Sequence, residues 1–136
     1  MAFVSEQDGA SNNGNSGAYR RRYVRVDVSA EVSYSRDGEE ATKAGHSSDL
    51  GGGGMRLATG EDLPLGTVLM LRFTLPDVTR EIVVRGRIVL SFYNAETKEF
   101  FHGIAFTHID PRDQEEIIRY VASELQRLAL EGEHAD

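Results

Sequence analysis

Val24-Arg25-Val26-Asp27-Val28-Ser29-Ala30-Glu31-Val32-Ser33-Tyr34-Ser35 alternates apolar and polar side chains over twelve residues. Successive side chains of a strand point to opposite faces. A period of two held this long therefore reads as a half-buried β-strand, with Arg25 on the polar face at its start. Arg36-Asp37-Gly38-Glu39 follows as a hairpin turn. A weaker strand is expected over 41–49, ending at a glycine run, and a short third strand over Met55-Arg56-Leu57. Leu69, Leu71, Phe73 and Leu75 share one face of the next strand, and Ile82, Val84, Ile88 and Leu90 that of the one after it. Gly86 falls on the same face and marks a bend or close packing. Phe100, His102, Ile104 and Phe106 make the last strand.

Asp110-Pro111 then reads as an N-cap followed by proline at the first helical position. Ile117, Ile118, Val121, Leu125 and Leu128 fall on one helical stripe, with Gly132 as the expected stop. The predicted architecture is mostly β: a small six-stranded antiparallel β-barrel with a C-terminal amphipathic α-helix. Residues 1–17 end in Gly9-Ala10-Ser11-Asn12-Asn13-Gly14-Asn15-Ser16-Gly17, a composition that cannot bury a core. The expected division is a flexible arm over 1–17, the barrel and helix over 18–131 and a tail over 132–136.

The chain has 136 residues, of which 40% are hydrophobic, enough for one modest core. Cysteine is absent, which excludes disulfides and Cys-ligated metal or cluster sites and fits a reducing compartment. The first residues lack the basic start and apolar run of a signal peptide. No stretch reaches the ~18 apolar residues of a membrane span. The expectation is a cytoplasmic protein with no membrane insertion. Its net charge of -7 argues against a general DNA or RNA partner.

Within this acidic chain, Arg20-Arg21-Arg22-Tyr23-Val24-Arg25 places four arginines in six residues, at the junction of arm and strand. The second unusual stretch is Asp49-Leu50-Gly51-Gly52-Gly53-Gly54-Met55. Guanidinium groups supply bidentate donors to phosphate and to a guanine edge. Asp49 supplies an acceptor, and the glycines allow close backbone approach. The same features also fit a solvated arginine patch and a tight turn between strands. The glycine run is not a phosphate-binding P-loop, because no Gly-Lys-Ser/Thr follows, and no strand–loop–helix unit surrounds it. Neither a catalytic set nor a metal site is expected. His46, Ser47, Ser48 and Asp49 are adjacent in sequence, which is not triad geometry. His46, His102, His108 and His134 lack a compact metal spacing. His102, at an inward strand position, reads as a satisfied core histidine. Tyr19 and Tyr23 offer either base stacking or rim packing.

These two stretches together resemble the PilZ domain, a family of bacterial receptors for the second messenger cyclic di-GMP. Arg21 and Arg25 match its Arg-x-x-x-Arg motif, with Arg20 and Arg22 as additional arginines. Asp49 and Gly54 match the ends of its Asp/Asn-x-Ser-x-x-Gly motif, while Gly51 stands where the family has serine. Leu65-Gly66-Thr67, Arg85-Gly86-Arg87-Ile88-Val89 and His102-Gly103-Ile104-Ala105-Phe106 follow in the expected order. The resemblance covers about residues 18–128. It implies a receptor or effector without enzymatic activity or cofactor, whose ligand is cyclic di-GMP, held by Arg20, Arg21, Arg22, Arg25, Asp49, Gly51 and Gly54. It implies a signal passed to a downstream protein partner by ordering of the arginine segment, in motility or biofilm regulation. The missing hydroxyl at Gly51 supports the alternative of a degenerate adaptor that binds a protein without nucleotide. Hydrolysis of a nucleotide is the third class. Restoring the hydroxyl by Gly51→Ser is expected to tighten binding, provided that Gly51 has no positive φ.

Overall fold

The computed structural model describes residues 23–76 and 78–134. Its elements are β1 (Arg25–Arg36), β2 (Lys43–Gly51), β3 (Gly54–Thr59), β4 (Val68–Phe73), β5 (Ile82–Asn94), β6 (Glu99–Ile109) and α1 (Pro111–His134). The strands close into an antiparallel barrel in the order β1-β2-β3-β6-β5-β4, with β4 returning to β1. Closure removes the unpaired sheet edges that an open sheet of this size would expose. The expected β-barrel with a C-terminal helix is the observed fold.

The alternation in β1 is realised as read. Val26, Val28, Val32 and Tyr34 are buried, and Asp27, Ser29, Glu31 and Ser33 face out. The register with β2 shifts between Asp27 and Ala30. Ser47, 2% exposed, fills that irregularity. Its hydroxyl donates to the Val28 carbonyl at 2.7 Å and accepts from the Ala30 N–H at 3.2 Å. Backbone groups that the bulge removes from the ladder are thereby satisfied. Leu50, Met55, Leu57, Leu69, Leu71, Ile82, Ile88 and Ile104 complete the core.

The helix plugs one end of this core. Asp110 Oδ1 accepts from the Arg112 N–H at 2.8 Å, as an N-cap does. Ile117 is fully buried and Val121 nearly so. The stripe is shorter than expected, because Ile118, Leu125 and Leu128 remain 40–47% exposed. Gly132 does not stop the helix, which runs on to His134. Glycine is only a weak breaker when nothing else competes for the last turn.

A polar network closes the opposite end. His102 is fully buried. Its Nδ1 lies 2.9 Å from the Ser91 hydroxyl and its Nε2 3.1 Å from the Thr59 hydroxyl. The Tyr34 hydroxyl donates to Glu61 Oε2 at 2.8 Å, and Lys43 Nζ donates to both carboxylate oxygens at 3.0 Å. Burial holds His102 below its ordinary value of 6.5, against the pull of the Glu61 carbonyl and the Asp62 and Glu61 charges. Tyr34 and Lys43 hold Glu61 below 4.5.

These shifts give an acid-sensitive barrel. A histidine whose folded value is depressed binds fewer protons folded than unfolded, so stability is whole above about pH 6.5 and falls as pH drops below it. The contribution of Glu61 is lost only below about pH 4.5. Between pH 7 and pH 5 the melting temperature should fall, and His102→Gln should flatten that dependence while lowering stability at pH 7. Thermal melts of both proteins at four pH values check this; parallel curves would assign the acid sensitivity to other groups.

Candidate functional site

The described part of the arginine stretch, Tyr23 to Arg25, meets the glycine stretch at the rim that the helix plugs. Arg25 opens β1 and pairs across the sheet with Gly51, and Asp27 pairs with Asp49. Arg25 Nη1 donates to Asp49 Oδ1 at 2.9 Å, with the two side chains 4% and 19% exposed. The same oxygen accepts from the Arg56 N–H at 3.1 Å. Asp49 is thus an acceptor fixed in place by a guanidinium and a backbone amide, not a residue capping its own turn. Arg25 lies on the outward side of β1, as its position implied. It is nevertheless almost covered, folded down onto the sheet.

The reason is the glycine run. Gly51 ends β2 and Gly54 begins β3, directly opposite each other, so Gly52 and Gly53 alone make the turn. A Cβ on Gly51 would lie 2.6 Å from the Val24 carbonyl oxygen and 2.8 Å from Arg25 Cγ. A Cβ on Gly52 would meet Ile118 of α1 at 2.9 Å and the Tyr23 ring at 3.0 Å. Gln114 of α1 donates to the Gly52 carbonyl at 3.0 Å, and the Phe106 N–H donates to the Gly53 carbonyl at 2.9 Å. Gly51 and Gly52 are a packing requirement here, because arginine strand, turn and helix converge where a Cβ would collide.

Beside them lies an apolar cavity of about 200 Å³ between Tyr23, Val24 and Gly52 on one side and Ile118, Val121 and Leu125 on the other. Tyr23 packs at the rim, over Gly52. Arg20, Arg21, Arg22 and Tyr19 lie outside the described residues, as does the expected arm over 1–17. Of the seven candidate residues, the structure brings together Arg25, Asp49, Gly51 and Gly54. Sequence reasoning missed Arg56, which stands beside Asp49 in register. The signal was available: Met55 and Leu57 point inward, so Arg56 must point outward. It also missed Gln114, whose contact with a turn 62 residues away has no local signature.

Ser47 is buried in the β1–β2 irregularity and Asp49 is held by Arg25, so His46, Ser47, Ser48 and Asp49 form no triad. Among the described residues, no group of acidic or histidine side chains could hold a metal ion. Among them, too, no helix is long and apolar enough to cross a membrane.

The PilZ domain model matches residues 19–123. No curated protein sequence matches the chain. Among solved structures, the Bacillus subtilis inhibitor of motility (MotI/DgrA) matches with a TM-score of 0.71 at 20% identity, over 79% of this chain and 52% of that one. The present chain therefore spans about half the length of that protein. The PilZ domain of YcgR from Escherichia coli, solved with c-di-GMP, matches with a TM-score of 0.59 at 17% identity, over 86% of this chain and 99% of that one. The PilZ domain of CeSA from a cellulose-synthesizing bacterium matches at 0.55 and 19% identity, over 74% and 96% of the two chains.

The contacts of Gly51 add a packing cost that the expected tightening of binding by Gly51→Ser has to exceed. Its φ is not positive, so the stated condition is met, yet a Cβ collides with backbone. Overpacking of this kind costs about 1–3 kcal/mol, against roughly 0.5–1.5 kcal/mol from a restored neutral hydrogen bond. Gly51→Ser should lower the midpoint of urea unfolding and increase amide exchange at Val24–Val26. An unchanged midpoint would show that the first strand can lift away without loss.

Proposed function

Because this chain belongs to the PilZ domain family, we propose that it is a receptor for cyclic di-GMP whose site is the rim formed by Arg25, Asp49, Gly51 and Gly54. The observation that carries the reading is the contact between Arg25 and Asp49. One belongs to the arginine cluster and the other to the glycine motif, 24 positions apart, and they meet on one outward face.

The chemistry of each residue fits its role. Arg25 is desolvated, fixed and planar, and its guanidinium can hold phosphate or the O6/N7 edge of guanine. Asp49 can accept from the N–H groups of guanine. The turn at Gly52–Gly53 lets the ligand approach the backbone. Arg20, Arg21 and Arg22 lead directly into Tyr23 and would close over the ligand from the second side. Several arginines held together repel one another until an anion joins them. Binding would therefore order the Tyr19–Arg25 segment, and that ordering is the signal, passed to a protein partner in motility or biofilm control. The protein acts as a cytoplasmic effector without catalysis, and the ligand leaves unchanged. The adaptor that binds a protein without nucleotide is the second reading, favoured by the absence of a hydroxyl at Gly51.

Calorimetric titration with cyclic di-GMP should give a binding isotherm at sub-millimolar ligand, with unmodified ligand recovered afterwards. Arg21→Ala and Arg25→Ala should each weaken binding by about 10- to 100-fold, the worth of a charge-assisted hydrogen bond of about 1.5–3 kcal/mol. Only Arg25→Ala should also lower stability, since it strands Asp49. Amide exchange should show protection of Tyr19–Arg25 on saturation. A flat titration would reject the receptor and promote the adaptor; binding without protection would reject the clamp alone.

A further inference from the structure

The surface beside Asp49 carries one more arginine, to which the reading above gives no task. Arg56 pairs in register with Asp49 on one side and with Gly103 on the other. Met55 and Leu57 point inward with no exposure, so Arg56 shares the outward face with Asp49. Its backbone N–H already holds the carboxylate. Its guanidinium carbon lies 5.8 Å from the centroid of the Phe92 ring. Phe92 is 43% exposed and stacks on Phe101 at 5.4 Å. Among the described residues, Arg56 Nε is buried without a hydrogen-bond partner. The side chain is thus held down against an aromatic base, at a desolvation cost, instead of spreading into water.

We propose that Arg56, seated on Phe92, is a stacking shelf for a purine ring whose edge is read at Asp49. The proposal rests on the receptor reading and deepens it, by naming what holds the flat face of the base. Phe92 lies on one side of the Arg56 guanidinium carbon, and the proposal gives the guanidinium plane's other face to a purine ring. Gly103 alongside brings no side chain that would stand in the way of a ring. Shelf and carboxylate together define a base in two directions, face and edge. Arg25 supplies neither the face nor the position, since it is folded over Gly51.

The test is calorimetric titration of cyclic di-GMP into wild type, Arg56→Ala, Arg56→Lys, Phe92→Leu and Asp49→Asn. Loss of one base stack should make Arg56→Ala about tenfold weaker. Arg56→Lys keeps the charge but not the plane, so it should fall nearly as far, and Phe92→Leu by a smaller factor. Arg56→Lys binding like wild type would overturn the shelf, because charge alone would then suffice. So would Arg56→Ala within about twofold of wild type while Asp49→Asn is impaired; that outcome leaves the receptor standing. A wild type that binds nothing removes receptor and shelf together. The chain has no tryptophan, so Phe92→Trp adds a reporter that does not depend on Arg56→Ala folding. Its emission should change on saturation, and constant emission in a variant that binds would overturn the proposal.

Discussion

The first strand can reach the second at its start only because residue 51 has no side chain. The Val24 carbonyl and the Arg25 stem occupy the volume that a Cβ would fill. Everything at the rim follows from that approach. Arg25 is laid flat, its guanidinium arrives at Asp49, and Tyr23 is set over Gly52. The helix uses the next glycine in the same way, placing Ile118 against it and tying it through Gln114. One short turn is therefore in contact with the arginine strand and the C-terminal helix at once. A change in the position of either is felt by the other through contacts too close to absorb it.

The two ends of the barrel are built from different materials. At the far end His102, Thr59, Ser91, Tyr34 and Glu61 form a satisfied polar network, and such networks rigidify what they join. At the rim the Arg25–Asp49 pair and the Gln114–Gly52 bond sit among close apolar contacts, with a cavity of about 200 Å³ beside them and Val24 61% exposed. A closed barrel has no sheet edge at which to deform. The charge distribution agrees with a small ligand. Register places Arg25, Gly51, Gly54, Ala105 and Arg87 in one row across the outer face, beside Asp27, Asp49, Arg56 and Gly103. A few guanidinium groups on a chain of net charge -7 can hold a compact anion.

The barrel was legible because β1, β4, β5 and β6 carry period-two patterns, as in Val26 to Tyr34, and because Asp110-Pro111 marks the helix start chemically. The buried His102 was legible for the same reason, as an inward position in a strand. The meeting of Arg25 and Asp49 was legible only in outline. Motif spacing placed both in one site, but their hydrogen bond depends on the register of β1 against β2. The packing role of Gly51 was not legible. A motif comparison sees a missing hydroxyl, whereas the structure shows an occupied volume, and no single-sequence pattern encodes which backbone passes over a glycine. Gln114 was hidden for a related reason, since its partner is brought near only by closure of the barrel. The helix was expected to stop at Gly132, because a propensity signal was given more weight than it has where no competing contact exists.

The Arg25–Asp49 pair also determines what kind of anion the rim can accept under the receptor reading. The two groups neutralise each other where both are largely removed from water. A phosphate that takes the guanidinium leaves the carboxylate partly buried with the Arg56 amide as its partner. Breaking a buried pair by removing one member costs about 3–5 kcal/mol when nothing replaces it, and less at a site that retains 19% exposure. Inorganic phosphate at neutral pH still carries P–O–H donors, but its negative charge repels the Asp49 carboxylate. A guanine edge brings N–H groups. A ligand that carries phosphate and guanine in one compact ring can replace both halves of the pair, so the number of satisfied groups is conserved on binding. Under the receptor reading, the intramolecular pair therefore favours such a ligand over simple anions.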